Sequence, residues 1–345
     1  MSLLVLTASA VDQIAEALTS EELERLMATI FHRLSSGKGF TSPHRSSVTM
    51  EQHTTLFMPS RVADIGTAVK VVSVPAASDS RGLPASTLVL DEATGGVKAI
   101  VNARSLTALR TAAGSVLATR LLTTNEPITL LAFGAGKQIE AHVNMHLRGF
   151  PSIKSCTIVN RSINDRLKKL VASLCERYPN IVFNYTSASS SDHLAMGDTT
   201  LPDLVKCAQI ICTATSSTKP LFRSEWVTPG THINLVGSFK PTMIEVDDEL
   251  INRAGKIAVD SREACAIEAG ELIHAGLRKE QMVELGDLVS EDLSPLTSIC
   301  AEVRAAGDVT IFKSVGVGLQ DVAIADLVVS RANDMGIGVR VEDYD

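Results

Sequence analysis

No stretch of this 345-residue sequence approaches the roughly 18 consecutive apolar residues that a membrane-spanning helix needs, so no membrane partner is expected. The opening MSLLVLTASAVDQIAEAL has no basic residue ahead of its apolar stretch and reads poorly as a secretory signal. Cys156, Cys175, Cys207, Cys212, Cys265 and Cys300 include no CxxC pair, and no histidine stands at metal-ligand spacing. That argues against a disulfide framework or a zinc site. It favours buried free thiols in a reducing compartment, so the expectation is a cytoplasmic protein without a metal. A basic excess is missing as well. The net charge of -7 argues against a general nucleic-acid partner, whose phosphates would demand a basic face. No internal repeat or low-complexity linker is visible.

What is there fits a soluble globular protein, with 45% hydrophobic and 21% charged residues and length enough for two domains of ordinary size. Residues 8–34 carry a helical pattern in Leu18, Leu23, Leu26, Met27, Ile30 and Phe31. From 45 to 102 the texture is short and β-rich (TTLFM, TAVKVVSV, STLVLDE, VKAIVNA), with turn signals at Ser80-Arg81-Gly82-Leu83-Pro84 and Thr94-Gly95-Gly96. Successive strands without intervening helices predict an antiparallel or mixed sheet, and an Ala-rich helix over about 103–122 leads out of it. After Asn125-Glu126-Pro127 strands and helices alternate. The strands are ITLLAF, CTIVN, IVFNY, QIICTA, HINLVG and KIAVD, with helices from Asn164, near 201–207 and over about 263–275. This rhythm predicts a parallel, doubly wound α/β sheet. DVTIFKSVG (308–316) reads as one more buried strand, and a helix runs from Leu319 to about Val329.

Gly134-Ala135-Gly136 follows the strand ITLLAF directly and opens the next helix. So tight a turn needs glycine, and a second glycine lets backbone approach a pyrophosphate, which the helix N-terminus then favours. A lone GxG is a weak signal, but its strand–turn–helix setting and the further βα units point to a dinucleotide. One position departs from the fingerprint: Ile139 stands where glycine or alanine usually lets helix and strand pack closely. The next strand ends in Asn160-Arg161-Ser162, where an NAD site would carry a carboxylate for the ribose 2′-hydroxyl. An arginine between two small hydrogen-bonding residues suits a 2′-phosphate instead, so NADP(H) is expected over NAD(H).

Basic residues also stand in apolar company. Lys70 lies amid Ala68, Val69, Val71 and Val72, where an unpaired lysine is costly; it either snorkels at a strand edge or lines a pocket. Arg110 recurs with Leu106, Ala113 and Leu117 on one helical face. Arg45, in a loop-like stretch, is uninformative by itself. Singly each suits a structural salt bridge; together two arginines and a lysine would clamp a small carboxylate.

Along nearly its whole length the chain resembles the ornithine cyclodeaminase/mu-crystallin family. The resemblance is carried by VKVVSV, SLTALRTAAGSVLATRLL, FGAGKQIEAHV followed by NRS, CTATSSTKPLF, HINLVGSFKPTMIEVDDEL and IEAGELI. It implies a homodimer whose two chain ends, 1–122 and 317–345, form an α+β substrate and dimerisation domain around a Rossmann domain at 123–316. It also implies that Arg45, Lys70 and Arg110 bind the substrate carboxylate, with Lys70 catalytic. The cofactor would lie on Gly134, Ala135, Gly136, Lys137, Gln138, Asn160, Arg161, Ser162, Thr213, Ala214, Thr215, Val236, Gly237 and Ser238. True cyclodeaminases are expected to carry an aspartate just after the VGG-like turn; here VGS is followed by Phe239, which can neither accept a proton nor bind an ammonium as a carboxylate does.

The function so implied is NADPH-dependent reduction of a small cyclic imino acid, a pyrroline- or piperideine-2-carboxylate. Arg45 and Arg110 would hold the carboxylate and Lys70 would help protonate nitrogen, with Asp321 or a water as the alternative donor. His53, Phe57, Met58 and Phe239 are candidates for lining the substrate pocket. The alternatives are an alanine- or opine-type amino-acid dehydrogenase, an ornithine cyclodeaminase despite Phe239, and an NADP(H)-dependent binding protein of mu-crystallin type. A pure binder would have no need of the basic trio.

Overall fold

The chain forms two units in the computed structural model, which describes residues 2–75, 83–188 and 199–344. One unit comprises Met1–Arg110 with Gly316–Asp345, and the other Thr111–Val315. Of the turn expected at 80–84, Ser80, Arg81 and Gly82 lie outside the described residues.

The first unit begins with β1 (Leu3–Leu6), α1 (Ala8–Ala17) and α2 (Ser20–Ser36). The helical pattern over 8–34 resolves into these two helices. Thr19 stops the first and starts the second: its side chain accepts from Glu22 N while Glu22 Oε2 accepts from Thr19 N, a reciprocal capping box. Strands β2 (Phe40–Thr41), β3 (Ser46–Thr49), β4 (His53–Val62), β5 (Gly66–Pro75), β6 (Ala85–Leu90) and β7 (Val97–Asn102) follow, then helix α3 (Leu106–Leu122). The first turn of α3 belongs to this unit and the rest to the next.

The second unit opens with β8 (Thr129–Phe133), α4 (Lys137–Gly149), β9 (Ser155–Asn160), α5 (Asp165–Arg177) and β10 (Val182–Ser187). It continues through α6 (Leu201–Cys207), β11 (Ile210–Thr213), β12 (His232–Leu235), α7 (Asp248–Ala254) and β13 (Ile257–Val259). Helices α8 (Arg262–Glu268) and α9 (Gly270–His274), β14 (Met282–Glu284), α10 (Thr297–Ala305) and β15 (Thr310–Lys313) complete it. The chain then returns to the first unit with α11 (Gly318–Met335) and β16 (Val339–Val341).

In the first unit the sheet runs β16-β1-β7-β6-β5-β4-β2, with β3 pairing β4 off this path. It is mixed: β1 and β7 are parallel and the other pairs antiparallel. Helix α11 packs across β4 and β5. In the second unit the order is β10-β9-β8-β11-β12-β15-β13-β14 and every pair is parallel. Its strands are apolar runs because both faces are covered, and Leu131, Phe133, Ile211, Ile233, Leu235 and Ile311 sit in one core. The fold is α/β, a Rossmann-type parallel sheet joined to an α+β unit.

The cysteines are free; Cys156, Cys212, Cys265 and Cys300 are buried, whereas Cys175 and Cys207 are exposed, against the expectation that all would be buried. Among the described residues no helix is long and apolar enough to cross a membrane.

Candidate active site

Side chains alternate along β5, so Ala68, Lys70 and Val72 share the buried face while Val69 and Val71 point the other way. Lys70 therefore does not snorkel at an edge. It is 3% exposed, paired in register with Met58 on β4 and Thr87 on β6, and it meets Asp321 of α11, with Nζ 2.6 Å from Oδ2. Arg110, 4% exposed, donates from Nε to the other Asp321 oxygen at 3.2 Å. Burial pushes the Lys70 ammonium below its usual pKa; Asp321 opposes that shift, while the charges of Arg110 and Arg45 add to it. Arg45, half-buried ahead of β3, thus lies within electrostatic reach of the lysine. The structure brings together all three predicted basic residues and Asp321. Buried cationic groups gathered in this way, Lys70 and Arg110 on Asp321 with Arg45 in electrostatic reach, suit an anion.

Two further residues hold Arg110, and the sequence reading missed both. Gln320 accepts from Arg110 Nη1 at 3.0 Å and from Val317 N at 3.2 Å. Gly316 has φ +86°, and a side chain there would begin 2.8 Å from both terminal guanidinium nitrogens. The guanidinium occupies the space that a side chain at position 316 would fill. His53, Phe57 and Met58 are half-buried on β4. Phe239 is half-buried in the second unit, with Lys240 Nζ 5.5 Å from its ring centroid.

In the second unit, Gly134 follows β8 with φ +118°, a conformation that favours glycine. A Cβ there would sit 3.0 Å from Ala214 O and 3.2 Å from Ile139 Cγ1. Ile139 is fully buried and packs over the bare Gly134 backbone, so the bulky residue at the third fingerprint position is accommodated by the glycine at the first. Gly136 caps α4 without a side-chain hydrogen bond, and a Cβ added to it would meet nothing within 4 Å among the described residues. Open space, free helix N–H groups and a positive dipole end fit a pyrophosphate. Ala135 is buried, Gln138 half-buried, and Lys137 is exposed and paired with Glu140 at 2.7 Å. At the end of β9, Asn160 donates to Ser162 O at 2.8 Å and shapes the turn that leaves the Arg161 and Ser162 side chains exposed.

The other predicted cofactor residues form two loops after β11 and β12. Thr213 and Ser238 are fully buried and hydrogen-bonded within the protein, whereas Ala214, Thr215, Val236 and Gly237 are half-buried. Both loops converge on Glu245, a fully buried carboxylate absent from the sequence reading. Burial pushes its pKa up and Lys313 opposes that shift. Lys313 in turn lies 2.8 Å from Glu271, each with a fully buried side chain. A signal existed for Lys313: it ends the apolar run TIFK much as Lys70 interrupts TAVKVV.

A sequence model of the ornithine cyclodeaminase/mu-crystallin family matches residues 4–336. A Dictyostelium discoideum protein named an uncharacterized cyclodeaminase is 32% identical over 83% of this chain and 82% of its own. The ketimine reductase mu-crystallin of Mus musculus is 30% identical over 84% of this chain and 85% of its own. Among solved structures, the Thermococcus litoralis Delta(1)-pyrroline-2-carboxylate reductase in complex with NADH and L-proline superimposes with a TM-score of 0.81 at 25% identity, covering 98% of this chain and 100% of that one.

Proposed function

The chain belongs to the ornithine cyclodeaminase/mu-crystallin family, and from that premise we propose which imine it reduces, with which nucleotide and through which residues. It is an NAD(P)H-dependent oxidoreductase acting on C=N bonds. Its substrates are small cyclic imino acids of the pyrroline- or piperideine-2-carboxylate type, and NADPH is the preferred reductant. The observation that carries this reading is the cluster in which buried Lys70 and Arg110 meet on Asp321 with Arg45 in electrostatic reach of the lysine. Such a cluster calls for an anionic substrate, and an imino acid brings a carboxylate beside its C=N bond.

Arg45 and Arg110 hold the substrate carboxylate and thereby fix the imine carbon. Lys70, its pKa lowered by burial, donates a proton from Nζ to the imine nitrogen and regains one from solvent. Asp321 is held between two cations and acts as their counter-ion rather than as the donor. A nicotinamide nucleotide held by the protein would supply hydride. The α4 N-terminus and the Gly134–Gly136 turn bind its pyrophosphate, and Arg161 binds the 2′-phosphate. The protein acts as a homodimer, a state read directly by light scattering.

A panel of imino and keto acids, with and without amines, followed by NADPH absorbance, tests the reading. Oxidation with cyclic imino acids but not with pyruvate plus ammonia is expected. The reverse pattern would make the protein an alanine- or opine-type dehydrogenase. Proline released from ornithine without net nucleotide turnover would make it a cyclodeaminase, against the weight given to Phe239. Binding of nucleotide and imine with no turnover at all would leave a binding protein of mu-crystallin type. For the nucleotide, Arg161→Ala should raise KM for NADPH about tenfold and change that for NADH far less.

A further inference from the structure

The loops after β11 and β12 leave the parallel sheet at its carboxyl edge. Strand order reverses there, with β9 on one side of β8 and β11 on the other. Ligands of doubly wound sheets lie in the crevice at this point. One side chain ties both loops. Glu245 accepts from Thr213 Oγ1 at 2.7 Å, Thr215 N at 2.7 Å, Thr215 Oγ1 at 2.9 Å and Gly237 N at 2.7 Å. Gly237 has no room for a side chain, since a Cβ would lie 2.1 Å from Thr215 O and 2.4 Å from Glu245 Oε1. Apolar packing could hold two loops together at less cost than a buried carboxylate. What the carboxylate adds is direction. Both its oxygens accept from backbone N–H groups, which fixes the orientation of the two loop backbones relative to each other.

We propose that Glu245 is a positioning residue for the dinucleotide, holding the 213–215 and 236–238 loops in their binding shape before the ligand arrives, so that binding does not have to order them. The inference rests on the reading that these loops line the cofactor. Glu245→Gln keeps the side chain's shape but turns one acceptor into a donor facing N–H groups, and Thr215→Val removes one donor while leaving the carboxylate. Calorimetric titration of the full chain with NADPH, together with steady-state kinetics and thermal melting, separates the possibilities. The NADPH dissociation constant should rise about tenfold in Glu245→Gln, and less in Thr215→Val. In Glu245→Gln, kcat at saturating nucleotide and the imine KM should stay within about twofold, a split that mere loss of stability would not produce. Wild-type NADPH affinity in a folded Glu245→Gln overturns the inference. If that variant does not fold, wild-type affinity in Thr215→Val overturns it. A wild-type chain that binds neither NADPH nor NADH sinks the cofactor reading itself, and so the two failures are distinguishable.

Discussion

Lys70 sits between Ala68 and Val72 on the buried face of β5, where an unpartnered ammonium would cost several kcal/mol. Asp321 offsets that cost and at the same time holds Arg110. Replacing Lys70 by alanine should lower imine turnover by about two to four orders of magnitude, with NADPH affinity unchanged. Undiminished turnover would refute its role. Gly316 is tested from the other side. Alanine there would need φ near +86° and would press on the Arg110 guanidinium. Gly316→Ala should therefore raise the imine KM about tenfold and leave the KM for NADPH alone; equal changes in both would contradict a role in holding the clamp. Charge in an apolar run made Lys70 and Arg110 legible from sequence alone, although Arg45 needed the resemblance. Glu245 and Glu271 escaped because they stand beside other acidic residues in IEVDDEL and IEAGEL rather than in an apolar run. Their burial goes with partners distant in sequence, Thr213 and Thr215 for Glu245 and Lys313 for Glu271, which no local spacing encodes.

At the level of elements, the strands of the second unit other than β14 were legible as short runs bounded by turn residues, whereas β14 is only MVE and carries no such signal, and α6 occupies the expected 201–207. The helical pattern over 8–34 does not show where α1 ends and α2 begins, because apolar spacing carries through Leu18 and Leu23; the break comes from hydrogen bonding at Thr19, which periodicity does not register. Thr19→Ala removes the side-chain acceptor for Glu22 N and should destabilise the first unit by about 1 kcal/mol, seen as a lower melting midpoint. No change in midpoint would mean that packing of Leu23 and Met27 alone sets the start of α2. The expected helix over 263–275 breaks for a different reason. The Lys240–Met243 backbone approaches so closely at Gly270 that a Cβ would lie 2.0 Å from Met243 O. Strand β1 escaped notice because its partners β7 and β16 are distant in sequence, and LLVL alone carries no period.

At the scale of the whole molecule, stability should depend on pH through a buried polar layer in the parallel-sheet unit. His142 bonds to Ser115 at 2.9 Å, His146 to Thr119 at 3.1 Å and His232 to Thr310 at 2.8 Å. All three rings are fully buried, and burial pushes their pKa values down to about 4, 3 and 4 respectively. An unfolded histidine titrates near 6.5. Between about pH 6.5 and 4 the unfolded chain therefore takes up protons that the folded chain refuses, and stability falls as pH falls. Above pH 6.5 this contribution is fully present and flat. Each histidine contributes on the order of 1 kcal/mol per pH unit inside that window. Glu245, whose pKa is raised by burial, works in the opposite sense, since its folded form takes up a proton more readily than the unfolded one. Asp287, also raised by burial, works in the same sense as Glu245, and these two carboxyls against three histidines leave the net slope in the histidines' favour. The single tryptophan, Trp226, packs against the core of this same unit, so its fluorescence reports the unit's unfolding. Urea midpoints read by that signal should hold steady from pH 8 to 7 and fall progressively from pH 6.5 to 5. A midpoint unchanged down to pH 5 would mean that the three imidazoles accept protons in place, and that the buried layer is far more open to water than its hydrogen bonds imply.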